Sequence, residues 1–186
     1  MKGIAYDTVW LDLRKGEHLD DSYKDVLPAR QVPCLAIDGQ RLFQSMAIIE
    51  YLDETRPAPR LVPEDAAARA AVRAVSELIN SAIQPLHNIA VRERLREQFA
   101  AGEQATREWC RFWIEGRFTS LDSVLRENGT RYACADLITI ADVFLYPQVL
   151  TSQRFDVDMR SFPAIGAIVD RLSEIEAFRQ SHPPAL

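Results

Sequence analysis

Apolar and polar residues alternate in short runs over the first third of the chain and then change to a helical period. Tyr6 to Leu13 mixes β-branched and aromatic residues with aspartates, which predicts a strand. Cys34-Leu35-Ala36-Ile37 is a short apolar run, followed by Asp38-Gly39 and then Arg41-Leu42-Phe43. An Asp-Gly pair between two such runs predicts a hairpin, because both residues of the favoured tight turn need positive φ. Ser45 then predicts the N-cap of a helix running to about Thr55. Its apolar residues Ile48, Ile49, Tyr51 and Leu52 form a stripe against Glu50, Asp53 and Glu54.

Pro57, Pro59 and Pro63 interrupt this pattern and mark a linker. Beyond it Val72, Val75, Ile79, Ala82, Ile83 and Leu86 recur at a helical period. Pro85 lies inside that pattern and should kink it, since proline lacks the N–H that the helix needs. Trp109, Phe112, Trp113, Leu121 and Leu125 predict a second long helix, stopped at Asn128-Gly129. Thr139-Ile140-Ala141-Asp142 reads as a capping box opening a third helix to about Leu150, and a fourth spans about Phe162 to Leu172. The fold class is therefore α/β plus all-α: a small α/β domain over 1–57, a proline linker, and an all-helical domain over 64–186.

The chain has 186 residues, 47% hydrophobic and 26% charged, which is ordinary for a soluble globular protein with two small cores. A net charge of -5 and a pI near 5.3 argue against a nucleic-acid or anionic-membrane partner. They leave room for a small anion, because a local cluster of arginines can oppose the global sign. No apolar run approaches a membrane span, and Met1 to Asp7 lacks the core of a signal peptide. Cys34, Cys110 and Cys134 are odd in number and widely spaced. They predict free thiols in a reducing cytoplasm, with no disulfide framework and no metal site. Cys34 and Cys110, in apolar settings, read as core thiols.

Four features could carry chemistry, and each has a plainer reading. Val32-Pro33 offers an X-Pro bond that could be cis, or an ordinary trans bond at a strand edge. Ser45 at a helix start leaves free N–H groups that suit a carboxylate, or is simply a cap. His87 sits among polar residues near a helix end, where a lone histidine is more often structural than catalytic. Arg154, in a loop after a helix, presents a fork that suits a carboxylate, or is a solvated surface side chain.

Taken together, the segments Gln31-Val32-Pro33-Cys34-Leu35, Asp38-Gly39 and Gln44 to Leu61 resemble the glutathione-binding half of a glutathione transferase, and of its zeta class in particular. Further similarities to that class are Gln84-Pro85-Leu86-His87-Asn88, Pro147-Gln148-Val149, Arg154 to Asp158, and the tail from Ala177-Phe178 to His182-Pro183. The resemblance spans essentially the whole chain, with Ala135 where the family usually has glycine. It implies a thioredoxin-like amino-terminal domain followed by an all-helical domain. It also implies glutathione as cofactor, held by His18, Val32, Gln44, Ser45, Gln84, Asn88, Ile89 and Ala90. The Val32-Pro33 bond would be cis, the Val32 backbone would pair with the cysteinyl part of glutathione, and Gln44-Ser45 would hold its γ-glutamyl carboxylate. Arg154 would bind a carboxylate of a dicarboxylic substrate.

The same resemblance places a strand and a helix, with the sulfur-activating serine motif, ahead of the point where this sequence begins. Ser22 is the first serine. Met1 is therefore expected to be an internal methionine or the start of a remnant. The expected sheet would lack the strand between Tyr6–Leu13 and Cys34–Ile37, and no catalytic residue is assigned within the sequence. The implied activity is glutathione-dependent isomerisation of maleylacetoacetate to fumarylacetoacetate, in a cytoplasmic homodimer. Maleylpyruvate is the alternative substrate, and a non-catalytic binding module is the alternative of another class.

Overall fold

Asp38 and Gly39 both adopt positive φ, 50° and 75°, and between them they reverse the chain. The turn joins β1 (Cys34–Ile37) to β2 (Gln40–Phe43). The two strands are antiparallel, with Cys34 opposite Phe43 and Ile37 opposite Gln40. A helix, α2 (Ser45–Thr55), follows directly, and a short helical turn, α1 (Asp21–Lys24), precedes the hairpin. These elements belong to one of two compact units, Met1–Arg60 and Leu61–Leu186. This computed structural model describes residues 1–181. His182 and Pro183, which contributed to the sequence resemblance, lie outside the described residues.

The strand expected over Tyr6–Leu13 does not form. Residues 1–12 have no ladder, and the sheet among the described residues contains β1 and β2 alone. A strand is held by the backbone of a neighbour, and no described segment runs beside this one. Tyr6, Val9 and Trp10 are accordingly exposed. Only Leu27, Ile48 and Asp53 are buried in the amino-terminal unit, so polar ties do much of its fastening. The Lys2 ammonium donates to Asp53 Oδ1 at 2.8 Å, to the Arg56 carbonyl at 2.7 Å and to the Pro59 carbonyl at 2.8 Å. It thereby pins the chain start to the last turn of α2, where a cation suits the helix dipole.

The helical unit comprises α3 (Ala66–Ala82), α4 (Ile89–Phe99), α5 (Glu103–Asn128), α6 (Ile140–Gln153), α7 (Pro163–Ser173) and α8 (Glu176–Gln180). α6 is its centre: residues all round it are buried, including Phe144, Leu145, Tyr146, Gln148, Val149 and Ser152. It packs against α3 and α7. α3 presents Val72, Val75 and Ile79, and α5 presents Cys110, Ile114, Phe118, Leu121 and Leu125, each on one buried face. The capping box at α6 is present. Asp142 Oδ2 accepts from the Thr139 backbone N–H at 2.8 Å, and its Oδ1 accepts from the Ala133 N–H at 2.9 Å.

Pro85 does more than kink a helix. α3 ends at Ala82, residues Gln84–His87 form a 3-10 turn, and α4 restarts after Asn88. The missing proline N–H is tolerated at the start of that short turn, where no helical partner is needed. α5 ends as expected at Gly129, whose φ of 61° closes the helix. No helix among the described residues is long and apolar enough to cross a membrane.

Candidate functional site

In the amino-terminal unit the Val32-Pro33 peptide bond is cis. Val32 is exposed, and neither its N–H nor its carbonyl has a partner among the described residues. The neighbouring Gln31 is tied on both sides. Tyr23 donates its hydroxyl to the Gln31 carbonyl at 2.7 Å, and Gln44 Nε2 donates to Gln31 Oε1 at 3.0 Å. The start of α2 is thus fastened beside Val32.

Ser45 is not the cap that its sequence predicted. Gln44 is the N-cap, at φ 69°, and Ser45 is the first helical residue, with no side-chain cap bond. The positive φ at Gln44 starts the helix one residue earlier than a serine cap would. Ile48 N–H donates to the Gln44 carbonyl at 3.0 Å, which leaves the N–H groups of Ser45, Met46 and Ala47 without intrahelical acceptors. No acidic residue occupies the first turn. Such a helix start carries positive potential and open donors, the arrangement that holds a carboxylate. A non-glycine residue at positive φ is also a feature that clusters at ligand clamps.

His18 lies in a 3-10 turn, Glu17–Leu19, whose Leu19 carbonyl accepts from the Arg30 guanidinium. Hydrogen bonds therefore link the His18 turn, the Arg30–Val32 loop and the start of α2 into one connected patch. His18 Nδ1 is buried and has no hydrogen-bond partner among the described residues.

In the helical unit Gln84 is exposed at the start of the 3-10 turn. Asn88 is the N-cap of α4, its side chain accepting from the Ala90 N–H at 2.8 Å. Asn88 and Ala90 are exposed and Ile89 is half-buried. His87 is buried, with Nε2 3.2 Å from Gln148 Oε1 and its ring 5.6 Å from Phe155. Burial first, and the Arg92 charge last, push its pKa below the ordinary imidazole value, against the Gln148 hydrogen bond.

Arg154 is the C-cap of α6 and is exposed. Its guanidinium makes no hydrogen bond or ion pair among the described residues, while its carbonyl accepts from Arg107 Nη1 at 2.8 Å. Arg107 also reaches Asp156 Oδ2 at 3.4 Å. Arg107 and Arg92 escaped the sequence reading, while Gln148 and Phe155 entered it only within segments similar to the family. Each acts through a tertiary contact.

The three thiols are free. Burial pushes Cys134 up to about 12 and raises Cys110 as well, so neither is a thiolate nucleophile. Cys110 is fully buried, whereas Cys34 is only half-buried. Among the described residues no group of three or more acidic, histidine or cysteine side chains could hold a metal.

The chain is similar to known proteins along its length. The glutathione S-transferase N-terminal domain matches residues 1–55. Mouse maleylacetoacetate isomerase is 40% identical over 185 residues, covering 98% of this chain and 83% of that protein. Among solved structures, the holo form of a maleyl pyruvate isomerase, a bacterial zeta-class glutathione S-transferase, superposes with a TM-score of 0.95 at 38% identity. That match covers 100% of this chain and 90% of the other. Maleylacetoacetate isomerase from Methylobacterium extorquens AM1, with bound malonate and glutathione, gives 0.94 at 29% identity, covering 97% and 86%. A thioredoxin-like amino-terminal unit followed by a helical unit is the arrangement of this family. The chain belongs to the zeta-class glutathione S-transferases, the family that includes the maleylacetoacetate and maleylpyruvate isomerases.

Proposed function

We propose that the chain binds glutathione and catalyses cis-trans isomerisation of maleylacetoacetate to fumarylacetoacetate. The carrying observation is the pairing of the exposed, unpartnered Val32 backbone at the cis Val32-Pro33 bond with the open start of α2, tied by the Gln44–Gln31 hydrogen bond. These groups fit glutathione. Val32 offers one N–H and one carbonyl to a peptide lying along it like an added strand. The N–H groups from Ser45 onward suit the γ-glutamyl carboxylate. When bound, glutathione supplies a thiol that adds to the conjugated double bond and leaves after the resulting single bond has rotated.

Within the chain, Gln44 and Ser45 fix one end of the cofactor, with His18 beside them. Gln84, Asn88, Ile89 and Ala90 are the further glutathione contacts that the resemblance implies. Arg154 holds a substrate carboxylate through its fork, with Arg107 fixing its backbone. The working form is a cytoplasmic homodimer, as free thiols and the family resemblance suggest. Maleylpyruvate is the second reading, since a maleyl pyruvate isomerase and a maleylacetoacetate isomerase superpose almost equally, with TM-scores of 0.95 and 0.94.

The test is a competition between the two maleyl acids in the presence of glutathione. It is run on the chain alone and on the chain extended by the amino-terminal strand and helix of a zeta-class relative. Preferential consumption of maleylacetoacetate is expected, and preference for maleylpyruvate supports the second reading. An extended protein that is retained on glutathione resin yet isomerises neither acid overturns the proposal.

A further inference from the structure

Phe155 is buried between two side chains of the helical unit. The His87 ring lies 5.6 Å from its centroid, and the Arg92 guanidinium carbon lies 5.7 Å from it. Arg92, in the first turns of α4, is only half-buried, yet its Nε is shielded from solvent and has no hydrogen-bond partner among the described residues. It forms no ion pair there. At the 154–156 corner Arg107 takes both Asp156, at 3.4 Å, and Glu103, at 3.3 Å. Among the described residues neither Arg92, over the ring, nor Arg154, on the adjoining residue, has an acid partner, in a chain whose net charge is -5. A shielded guanidinium donor without an acceptor is costly, and stacking on an aromatic face offsets only part of that cost. His87 cannot supply the missing anion, and its depressed pKa keeps it from adding a third charge at neutral pH.

We propose that Arg92 is a second carboxylate anchor, so that Arg92 and Arg154 hold the two carboxylates of one dicarboxylate on either side of Phe155. Phe155 carries the Arg92 guanidinium on its face, and Arg107 fixes the Arg154 side by its 2.8 Å bond to that residue's carbonyl. A ligand with a single carboxylate engages Arg154 and gains nothing from Arg92. Discrimination for diacids therefore resides in the first turns of α4. This assignment rests on the dicarboxylate-isomerase reading and names the residue that selects for the second charge.

The test is calorimetric titration of the glutathione-loaded protein with maleate, a diacid probe, and with isocrotonate, its cis monoacid counterpart. Wild type is compared with Arg92→Gln, Arg92→Lys and Arg154→Gln. Loss of one charge-assisted fork contact is expected to weaken maleate binding about tenfold in R92Q and in R154Q, with R92K between R92Q and wild type. Isocrotonate affinity falls in R154Q and stays within about twofold of wild type in R92Q. Unchanged maleate affinity in R92Q overturns the proposal, as does an equal loss for maleate and isocrotonate, which marks Arg92 as a packing residue. Failure of wild type to bind maleate also overturns it. In each of these cases turnover of the maleyl acids by wild type decides the isomerase reading separately.

Discussion

The carbonyl of Arg154 accepts a hydrogen bond of 2.8 Å from the guanidinium of Arg107 on α5. Arg107 also reaches Asp156, which sits at φ 58°, in the left-handed region. The end of α6 is thereby held from outside, and the orientation of Arg154 depends on it. Arg107→Gln is expected to raise KM for the maleyl substrate about threefold to tenfold with a smaller change in kcat, as for loss of ground-state positioning. Steady-state kinetics measure this. An unchanged KM would mean that the corner holds itself without Arg107.

Asp122 provides a cap in trans. Its Oδ1 accepts from the N–H groups of Ala164 and Ile165, at 2.8 and 3.0 Å, at the start of α7. Arg126 donates to Oδ2 at 2.7 Å. α7 has no side-chain cap of its own, and Asp122 is buried. Asp122→Ala strands two donors at a helix N-terminus, one buried and one half-buried, and is expected to cost about 2–3 kcal/mol. Asp122→Asn, which keeps an acceptor, costs less. Urea unfolding measures both; equal losses would place the contribution in charge and not in capping.

The hairpin turn is tied to α2 by charge. Asp38 accepts from Arg56 Nη1 and Nη2, each at 2.8 Å, and from the Tyr51 hydroxyl at 2.7 Å. The Arg56 hydrogen bonds first, then Tyr51, lower the Asp38 carboxyl to about 2. A folded-state pKa below the unfolded value stabilises the ionised form. This contribution is present above the ordinary carboxylate pKa and is lost as pH falls through the folded value. Carbon NMR of the Asp38 carboxyl should therefore titrate near 2 in wild type, and nearer the ordinary value in Arg56→Gln. A wild-type titration at the ordinary value would contradict the tie.

Local chemistry made much of this molecule legible from residues alone. Asp38-Gly39, Asn128-Gly129 and Thr139–Asp142 each encode a turn or cap within a few residues, and each forms as expected. Family resemblance singled out Val32-Pro33 and Arg154, which local patterns left open. What stayed hidden depends on distant partners. Nothing beside Ser45 announces that Gln44 adopts positive φ and becomes the cap. Tyr6–Leu13 has the composition of a strand but no ladder neighbour. α4 buries no residue fully, so it shows no apolar stripe, and Arg92 gains its interest only from Phe155 far along the chain.

The most direct measurement is proton NMR of the vinyl coupling in maleylacetoacetate, followed with the protein alone, with glutathione alone, and with both. The substrate is offered to the chain and to its amino-terminally extended form. The account predicts conversion from cis to trans coupling that needs protein and glutathione together, and that is slowed by Arg154→Gln. Conversion by the extended protein without glutathione, or none with it, would contradict the account.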